Sequence, residues 1–247
     1  MASIGFTLEG DDFQMQARVT VPAGLTQFKE LLPLAQHLSD RMVEQGVKAV
    51  EAAGRKISCG KGCGACCRNL VAISEVEARR IRDLVEELPE PRRSEIKERF
   101  GLARQRLEEA GLLERLQRPE KWDGEEYQKL ITSYFPLQIA CPFLEQESCS
   151  IYEDRPLTCR EFLVVSPPEH CAEPAAREVL AVRLPLHVFH ALARVEVPAD
   201  SELMERVVPL ILAPEWAESH PDEAPLRTGP EWFQEFLHHL SAKPPTV

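Results

Sequence analysis

Four cysteines lie within nine residues, between Cys59 and Cys67, and this spacing constrains the fold of the 247-residue chain more than any other feature. In the run Cys59-Gly-Lys-Gly-Cys63-Gly-Ala-Cys66-Cys67-Arg68, only glycine and alanine separate Cys63 from Cys66. Two thiols at C-x-x-C spacing can reach one ion, and the glycines let the backbone come close and direct N–H groups at sulfur. The segment therefore predicts a loop that binds metal.

A second set of cysteines lies far downstream in an irregular stretch that is broken by prolines. It comprises Cys141, Cys149, Cys159 and Cys171. We interpret the two sets as halves of one thiolate site that helices bring together. The side chains of Cys66 and Cys67 diverge in most backbone conformations, so both serve a cluster or a pair of ions more readily than a single ion. Eight thiols are compatible with one four-cysteine centre, two such centres or a polynuclear site, and zinc and iron both stay open.

The composition argues against several other classes of protein. A formal net charge of -11 disfavours binding to a phosphate backbone, so we expect no nucleic-acid partner. No apolar run approaches the ~20 residues that span a bilayer, and the first residues do not resemble a signal peptide, so we expect no membrane association. We therefore predict a cytoplasmic protein whose cysteines stay reduced unless they bind metal. The sequence contains no dinucleotide-binding, P-loop or zinc-protease motif.

The predicted fold class is mainly α, a helical scaffold around an irregular cysteine-rich metal site, with an N-terminal β-hairpin. Alternating apolar residues predict the hairpin, with its turn at Asp11-Asp12. Apolar residues at spacings of three and four predict helices in most of the remainder, and Ser74 with Glu77 forms a capping box at the start of one of them. The same spacing predicts a helix from Leu203 through Val207, Leu210 and Ile211.

These patterns divide the chain into three parts. Residues 1–24 form the hairpin, residues 25–175 the cysteine-cluster metal-binding domain, and residues 176–247 a helical extension packed on it.

Three arginines, Arg68, Arg155 and Arg160, lie within four residues of a cysteine in the sequence. We expect them to contact the cofactor, because nearby cations lower thiol pKa values and offset the charge of a thiolate-ligated centre. The alternative interpretation is ordinary solvated charge. For the isolated Cys171, a small buried apolar residue and a metal ligand are both open interpretations, and His170 beside it is an alternative nitrogen ligand.

Both cysteine motifs together resemble the YkgJ-type cysteine-cluster family, which is described as zinc- or iron-chelating. The residues that carry the resemblance are Cys59-x3-Cys63-Gly64-x-Cys66-Cys67-Arg68 and Cys141-Pro142-Phe143-Leu144-x4-Cys149-x-Ile151-Tyr152-x2-Arg155-Pro156-x2-Cys159-Arg160. The resemblance implies that the first seven cysteines are the metal-site candidates, that Arg155 and Arg160 lie near the metal, and that Tyr152 packs over it. The cysteine pattern is also similar to that of flagellin lysine N-methylases, which implies an iron–sulfur centre.

Three functional hypotheses follow, and they leave open whether the chain is an enzyme. In the first, the thiolates hold an iron–sulfur cluster or another iron centre for redox or methyl-transfer-type chemistry, and a neighbouring pocket binds a substrate or a protein or peptide partner. In the second, a structural zinc ion joins the two loops and the helices bind another protein. In the third, the protein is a thiol redox or metal-delivery protein.

Overall fold

The computed structural model describes residues 1–10, 13–174, 177–195 and 206–241, and α-helices predominate in them. Within these residues the helices are α1 (Leu32–Ala52), α2 (Glu75–Glu87), α3 (Arg92–Glu109), α4 (Leu113–Leu116), α5 (Gly124–Tyr134), α6 (Leu157–Glu161), α7 (Pro168–Ala172), α8 (Val188–Leu192), α9 (Ala213–Ser219) and α10 (Gly229–Ser241). The strands are β1 (Ala2–Gly10), β2 (Phe13–Val21), β3 (Leu25–Thr26), β4 (Ala72–Ser74), β5 (Leu144–Glu145), β6 (Ser148–Cys149), β7 (Val207–Pro209) and β8 (Arg227–Thr228). The predicted mainly α class is confirmed. None of the helices in this described part is long and apolar enough to cross a membrane.

The predicted N-terminal β-hairpin is confirmed. Strands β1 and β2 pair antiparallel along their whole length, from Ala2 opposite Val21 to Gly10 opposite Phe13. The predicted turn residues, Asp11 and Asp12, lie outside the described residues. One face of the hairpin packs on α10, where the ring of Phe6 meets Phe233 edge-on with ring centroids 5.2 Å apart.

One hydrophobic cluster joins the two ends of the chain. It contains buried side chains of the hairpin, α1, α8 and α10, among them Leu8, Met42, Val188, Trp232 and Phe233. A cluster of this kind orders the hairpin on the helices, because an isolated two-stranded hairpin is marginal in water. The division at residues 24 and 175 stays a prediction, and this cluster takes side chains from all three parts.

The helix predicted from Leu203 to Ile211 is wrong for residues 207–209. Leu210–Leu212 form a short 3-10 helix, and Leu203 lies outside the described residues. Residues Val207–Pro209 form strand β7, which pairs antiparallel with β4 so that Val208 lies opposite Ile73. All three residues of each strand are buried. The valines are β-branched, and Pro209 lacks the N–H that a helix interior requires, so burial against β4 outweighs the helical spacing.

The capping box predicted at the start of α2 is confirmed. The Ser74 hydroxyl accepts a hydrogen bond from the backbone N–H of Glu77, and the Glu77 carboxylate accepts the backbone N–H of Ser74 at 3.0 Å and its hydroxyl at 2.7 Å. Since Ser74 is also the last residue of β4, the β4–β7 pair and the capping box together fix where α2 begins.

Replacement of Gly229 by alanine should destabilise the fold. The Gly229 N–H donates to the Pro22 carbonyl at 3.0 Å, and an added β-carbon would overlap that carbonyl oxygen. Because the obstacle is backbone, the two segments would have to separate, and we expect a loss of about 1–3 kcal/mol in the free energy of unfolding. Urea unfolding followed by circular dichroism measures it.

The matched control is Gly101→Ala within α3. An added β-carbon at Gly101 meets nothing within 4 Å, so this change should raise the free energy of unfolding by about 0.5–1 kcal/mol. Equal stabilities for Gly229→Ala and the natural chain would contradict the close approach of Gly229 to Pro22.

Candidate metal centre

Six cysteines from both cysteine segments line one cavity of about 310 Å³. They are Cys63, Cys66, Cys67, Cys141, Cys149 and Cys159. All eight cysteines of the chain are free thiols, so none is taken up by a disulfide. The cavity therefore places six sulfur ligands around a common space.

The first cysteine loop contacts the second directly. Turn hydrogen bonds shape the first loop, with the Cys67 N–H donating to the Gly64 carbonyl at 3.0 Å. The Cys67 carbonyl then accepts the Cys141 N–H at 2.7 Å, which ties the two loops backbone to backbone. Gly64 packs on the turn between β5 and β6, and a β-carbon there would lie 2.7 Å from the Glu147 carbonyl oxygen. Glycine at this position therefore permits the approach that the sequence predicted.

Cys159 reaches the cavity from α6, a short helix that is anchored at its first turn. The buried Glu77 carboxylate, besides capping α2, accepts the Leu157 N–H at 2.6 Å. The Thr158 hydroxyl donates to the Ala72 carbonyl in β4 at 2.6 Å. A five-residue helix has little stability of its own, so these bonds determine where Cys159 lies.

The C-terminal end of α6 is anchored as firmly by Glu161, which is 6 % exposed. Its carboxylate accepts the Ser39 hydroxyl at 3.1 Å and the Phe189 N–H at 3.2 Å, and lies 3.2 Å from Nδ1 of His187. Because Ser39 belongs to α1 and Phe189 to α8, α6 is fixed to the main helical core at one end and to β4 and α2 at the other.

The three predicted cofactor-binding arginines occupy different places. Only Arg155 lines the cavity, with its guanidinium 3.9 Å from the centroid of the Tyr152 ring, which also lines it. Arg160 is 8 % exposed and outside the cavity lining, donating to Asp40 at 3.0 Å, to the Arg155 carbonyl at 2.9 Å and to the carbonyl of Glu153. Arg160 thus braces the loop that carries Arg155.

Arg68, the third predicted arginine, makes a bidentate pair with Glu147, with nitrogen–oxygen distances of 2.6 and 3.0 Å. It does not line the cavity. The pair links the first cysteine loop to the β5–β6 turn, so Arg68 joins the two loops at the surface.

The remaining two cysteines lie outside the cavity lining. The Cys59 sulfur accepts the Val164 N–H at 3.0 Å. Cys171 is 4 % exposed, and burial raises the pKa of its thiol to about 11. Its neighbour His170 is engaged through Nδ1 with the Glu178 carbonyl at 2.6 Å.

Burial makes thiolates costly in this cavity. Burial, together with neighbouring thiolates, raises the pKa of Cys141 to about 12 and the pKa of Cys159 well above its ordinary value. A hydrogen bond between the vicinal thiols lowers the pKa of Cys66 and raises that of Cys67. Soft metal cations bind thiolates and displace these protons, so a bound cation would supply the positive charge that the thiolates need.

The donor set fits a thiolate-bound zinc or iron centre in residue type and number. Among the described residues, no three cysteine, histidine, aspartate or glutamate side chains are gathered closely enough to hold one ion. The six sulfurs lie on the walls of the cavity, which is wider than a single ion requires.

Four polar residues of the cavity lining were not assigned to this site from the sequence. One is Thr158, whose hydroxyl donates to the Ala72 carbonyl. Asn69, Tyr127 and Tyr134 line the cavity, whereas the helical pattern indicated only that the two tyrosines point inward. The sequence did contain a signal for the two tyrosines. A tyrosine on the inward face of a helix needs a partner for its hydroxyl group, and a polar site can provide one. For Asn69, the only signal in the sequence was its position two residues after Cys67.

Replacement of Gly64 by alanine should pull the two cysteine loops apart. The added methyl group would meet backbone of Glu147 and the Leu144 side chain, and we expect a loss of about 1–3 kcal/mol in unfolding free energy. We also expect less bound zinc and iron by elemental analysis. In the control Gly60→Ala, in the same loop, the added β-carbon meets nothing within 4 Å. Unchanged metal content and stability in Gly64→Ala would contradict this packing.

Replacement of Glu77 by glutamine should loosen α6. An amide cannot accept on both sides as the carboxylate does, so one donor at Leu157 or Ser74 loses its partner, at a cost of about 1–3 kcal/mol in unfolding free energy. Hydrogen exchange at the Leu157 amide should accelerate. Glu75→Gln is the control, because Glu75 makes partly exposed ion pairs with Arg79 at 3.4 Å and Arg206 at 3.8 Å and contacts neither Leu157 nor Ser74 through a side-chain hydrogen bond. Equal exchange at Leu157 in both variants would rule out this anchoring role.

Comparison with known proteins agrees with the site. Residues 58–175, a little under half of the chain, match the model of the CxxCxxCC family, whose description is "Putative zinc- or iron-chelating domain". No curated protein and no solved structure matches the chain. The matched range contains all eight cysteines and the whole cavity except Leu210 and Ile211. Residues 58–175 therefore match the description of a zinc- or iron-chelating cysteine-cluster domain, the class that the two motifs indicate.

Proposed function

We propose that this protein holds an iron–sulfur centre on four or more of the six cavity thiols and uses it for redox or methyl-transfer-type chemistry. The observation that carries the proposal is the convergence of Cys63, Cys66, Cys67, Cys141, Cys149 and Cys159 on one cavity. Cysteine thiolates are the usual ligands of iron–sulfur clusters. The family match supports metal chelation, and the choice of an iron–sulfur centre over zinc is our proposal.

The number and spread of the thiols favour a polynuclear centre over one structural zinc ion. Four sulfurs saturate a tetrahedral zinc ion, and structural zinc sites are closed. Here six sulfurs surround about 310 Å³ of space, and Cys66 and Cys67 are adjacent in the chain. A centre with several metal atoms can accept both vicinal thiolates and fill more of that space.

The remainder of the wall is chiefly apolar, which suits a centre protected from water. Phe143, Ile151 and Leu210 are buried and line the cavity. An apolar shell limits solvent access and tunes the redox potential of a thiolate centre. When bound, an iron–sulfur centre supplies electron transfer or a Lewis-acid iron. The chain's own residues hold it, keep water away and leave space beside it for a ligand.

The second hypothesis, a structural zinc module, retains one supporting observation. The family description names zinc beside iron, and the two loops are already tied by the Cys141–Cys67 backbone bond. In that case four of the six thiols would bind one ion and the helices would present a surface to a protein partner. The protein or peptide partner and the cytoplasmic location both remain proposals.

Protein purified without air should contain iron and acid-labile sulfide, about four of each per chain for a cubane cluster. It should show a visible absorption band that bleaches with dithionite. Cys66→Ser and Cys159→Ser should lose most of the iron and the band, because each removes a cavity thiol. Cys171→Ala is the control and should keep both, since Cys171 lies outside the cavity lining. Circular dichroism checks that every variant folds.

Colourless protein that carries zinc and no iron would overturn the iron–sulfur proposal. In that case, removing the zinc with a chelator should lower the melting temperature, as a closed structural site contributes directly to folding. Metal-free protein with reversible thiol oxidation would favour the thiol redox or metal-delivery hypothesis instead.

A further inference from the structure

The cavity extends well beyond its cysteines. Most of the residues that line it are not cysteines, and several are large apolar or aromatic side chains. Its volume of about 310 Å³ falls at the lower end of the range for small-molecule pockets. Phe162 lines the cavity and is 40 % exposed, so it lies where the cavity meets solvent. A small molecule can therefore enter from the side of Phe162.

Two polar groups on the wall of this cavity have no partner. Among the described residues, three buried side-chain nitrogen or oxygen atoms make no hydrogen bond, and two of them belong to cavity-lining residues, Nε of Arg155 and Oδ1 of Asn69. Native structures rarely leave such atoms unpaired, because each costs about 1–3 kcal/mol. Nε of Arg155 is a donor and suits an acceptor such as an anion, whereas Oδ1 of Asn69 is an acceptor and suits a group that donates a hydrogen bond.

The charge of the acceptor follows from Arg155. The side chain makes no ion pair with any described residue, and no aspartate or glutamate is among the described residues that line the cavity. Its guanidinium nonetheless packs on the Tyr152 ring, and Arg160 fixes its backbone by donating to the Arg155 carbonyl. A fixed cation without a carboxylate partner, on an apolar wall, is suited to an anion.

We propose that the cavity binds a small organic carboxylate with an apolar body, its carboxylate on Arg155 and its body against the aromatic and aliphatic wall. Arg155 donates to the carboxylate oxygens, and Oδ1 of Asn69 accepts from a hydroxyl or ammonium group where the ligand carries one. This proposal rests on the proposed function, because the carboxylate would be the ligand that binds beside the metal centre in the same cavity. Planar guanidinium–carboxylate pairing makes a carboxylate a better match than a spherical anion.

Equilibrium dialysis of the metal-loaded protein, kept without air, tests the proposal with benzoate, hexanoate and the neutral benzamide. We expect saturable binding of both carboxylates and binding of benzamide that is weaker by about tenfold or more, the difference that charged hydrogen bonds confer. Arg155→Gln should weaken benzoate binding by a similar factor, leave benzamide binding unchanged and keep the full metal content. Asn69→Asp should weaken benzoate binding also, because it brings a like charge to the carboxylate.

The control is Arg118→Gln, which removes an exposed cation outside the cavity that is already paired with Glu114. It should leave benzoate binding unchanged. Absence of saturable carboxylate binding, or equal binding by Arg155→Gln and the natural chain, would overturn the proposal. Loss of metal in Arg155→Gln would do so too, by assigning Arg155 to the centre. Metal analysis of the natural chain tests the centre separately, since dialysis reports the carboxylate site whichever metal is bound.

Discussion

The site depends on one buried carboxylate, Glu77, which joins two elements that the sequence places far apart. One oxygen completes the capping box of α2 at Ser74, and the other accepts the N–H of Leu157 at 2.6 Å. Burial raises the pKa of Glu77, and its hydrogen bonds to Leu157 and Ser74 oppose that rise. A charge in the interior is tolerated only when donors surround it, as they do here. Because this carboxylate links α2 to the first residue of α6, the position of α2 on the core determines where Cys159 lies at the cavity.

The sequence predicted the general architecture because its signals are local. The hairpin, the capping box and the apolar stripe of α3 each arise from spacing within a few residues. The pairing of β4 with β7 could not be predicted in this way, since it joins Ile73 to Val208 and helical spacing competed with it. Only the partner strand makes an extended, buried Val207–Pro209 favourable.

The candidate site shows the same limit. Spacing of the cysteines indicated a shared site, but it could not separate the six cavity thiols from Cys59, which belongs to the same motif as Cys63, and it left the isolated Cys171 open. The three arginines were grouped because each is close to a cysteine in the sequence. In the structure, Arg68 pairs with Glu147 between two loops, Arg160 donates to the backbone of the loop that carries Arg155, and only Arg155 lines the cavity. Side-chain direction depends on tertiary packing, which proximity along the chain does not encode.

The β4–β7 pair also determines when the cavity becomes complete during synthesis. Leu210 and Ile211, which follow β7 directly, form part of the wall, whereas every cysteine precedes residue 172. During synthesis on the ribosome, all the thiols therefore emerge before Leu210 and Ile211, which complete the cavity wall. The cavity thiols stay open to solvent and oxidants for that interval, which ends only when the residues that follow β7 have emerged.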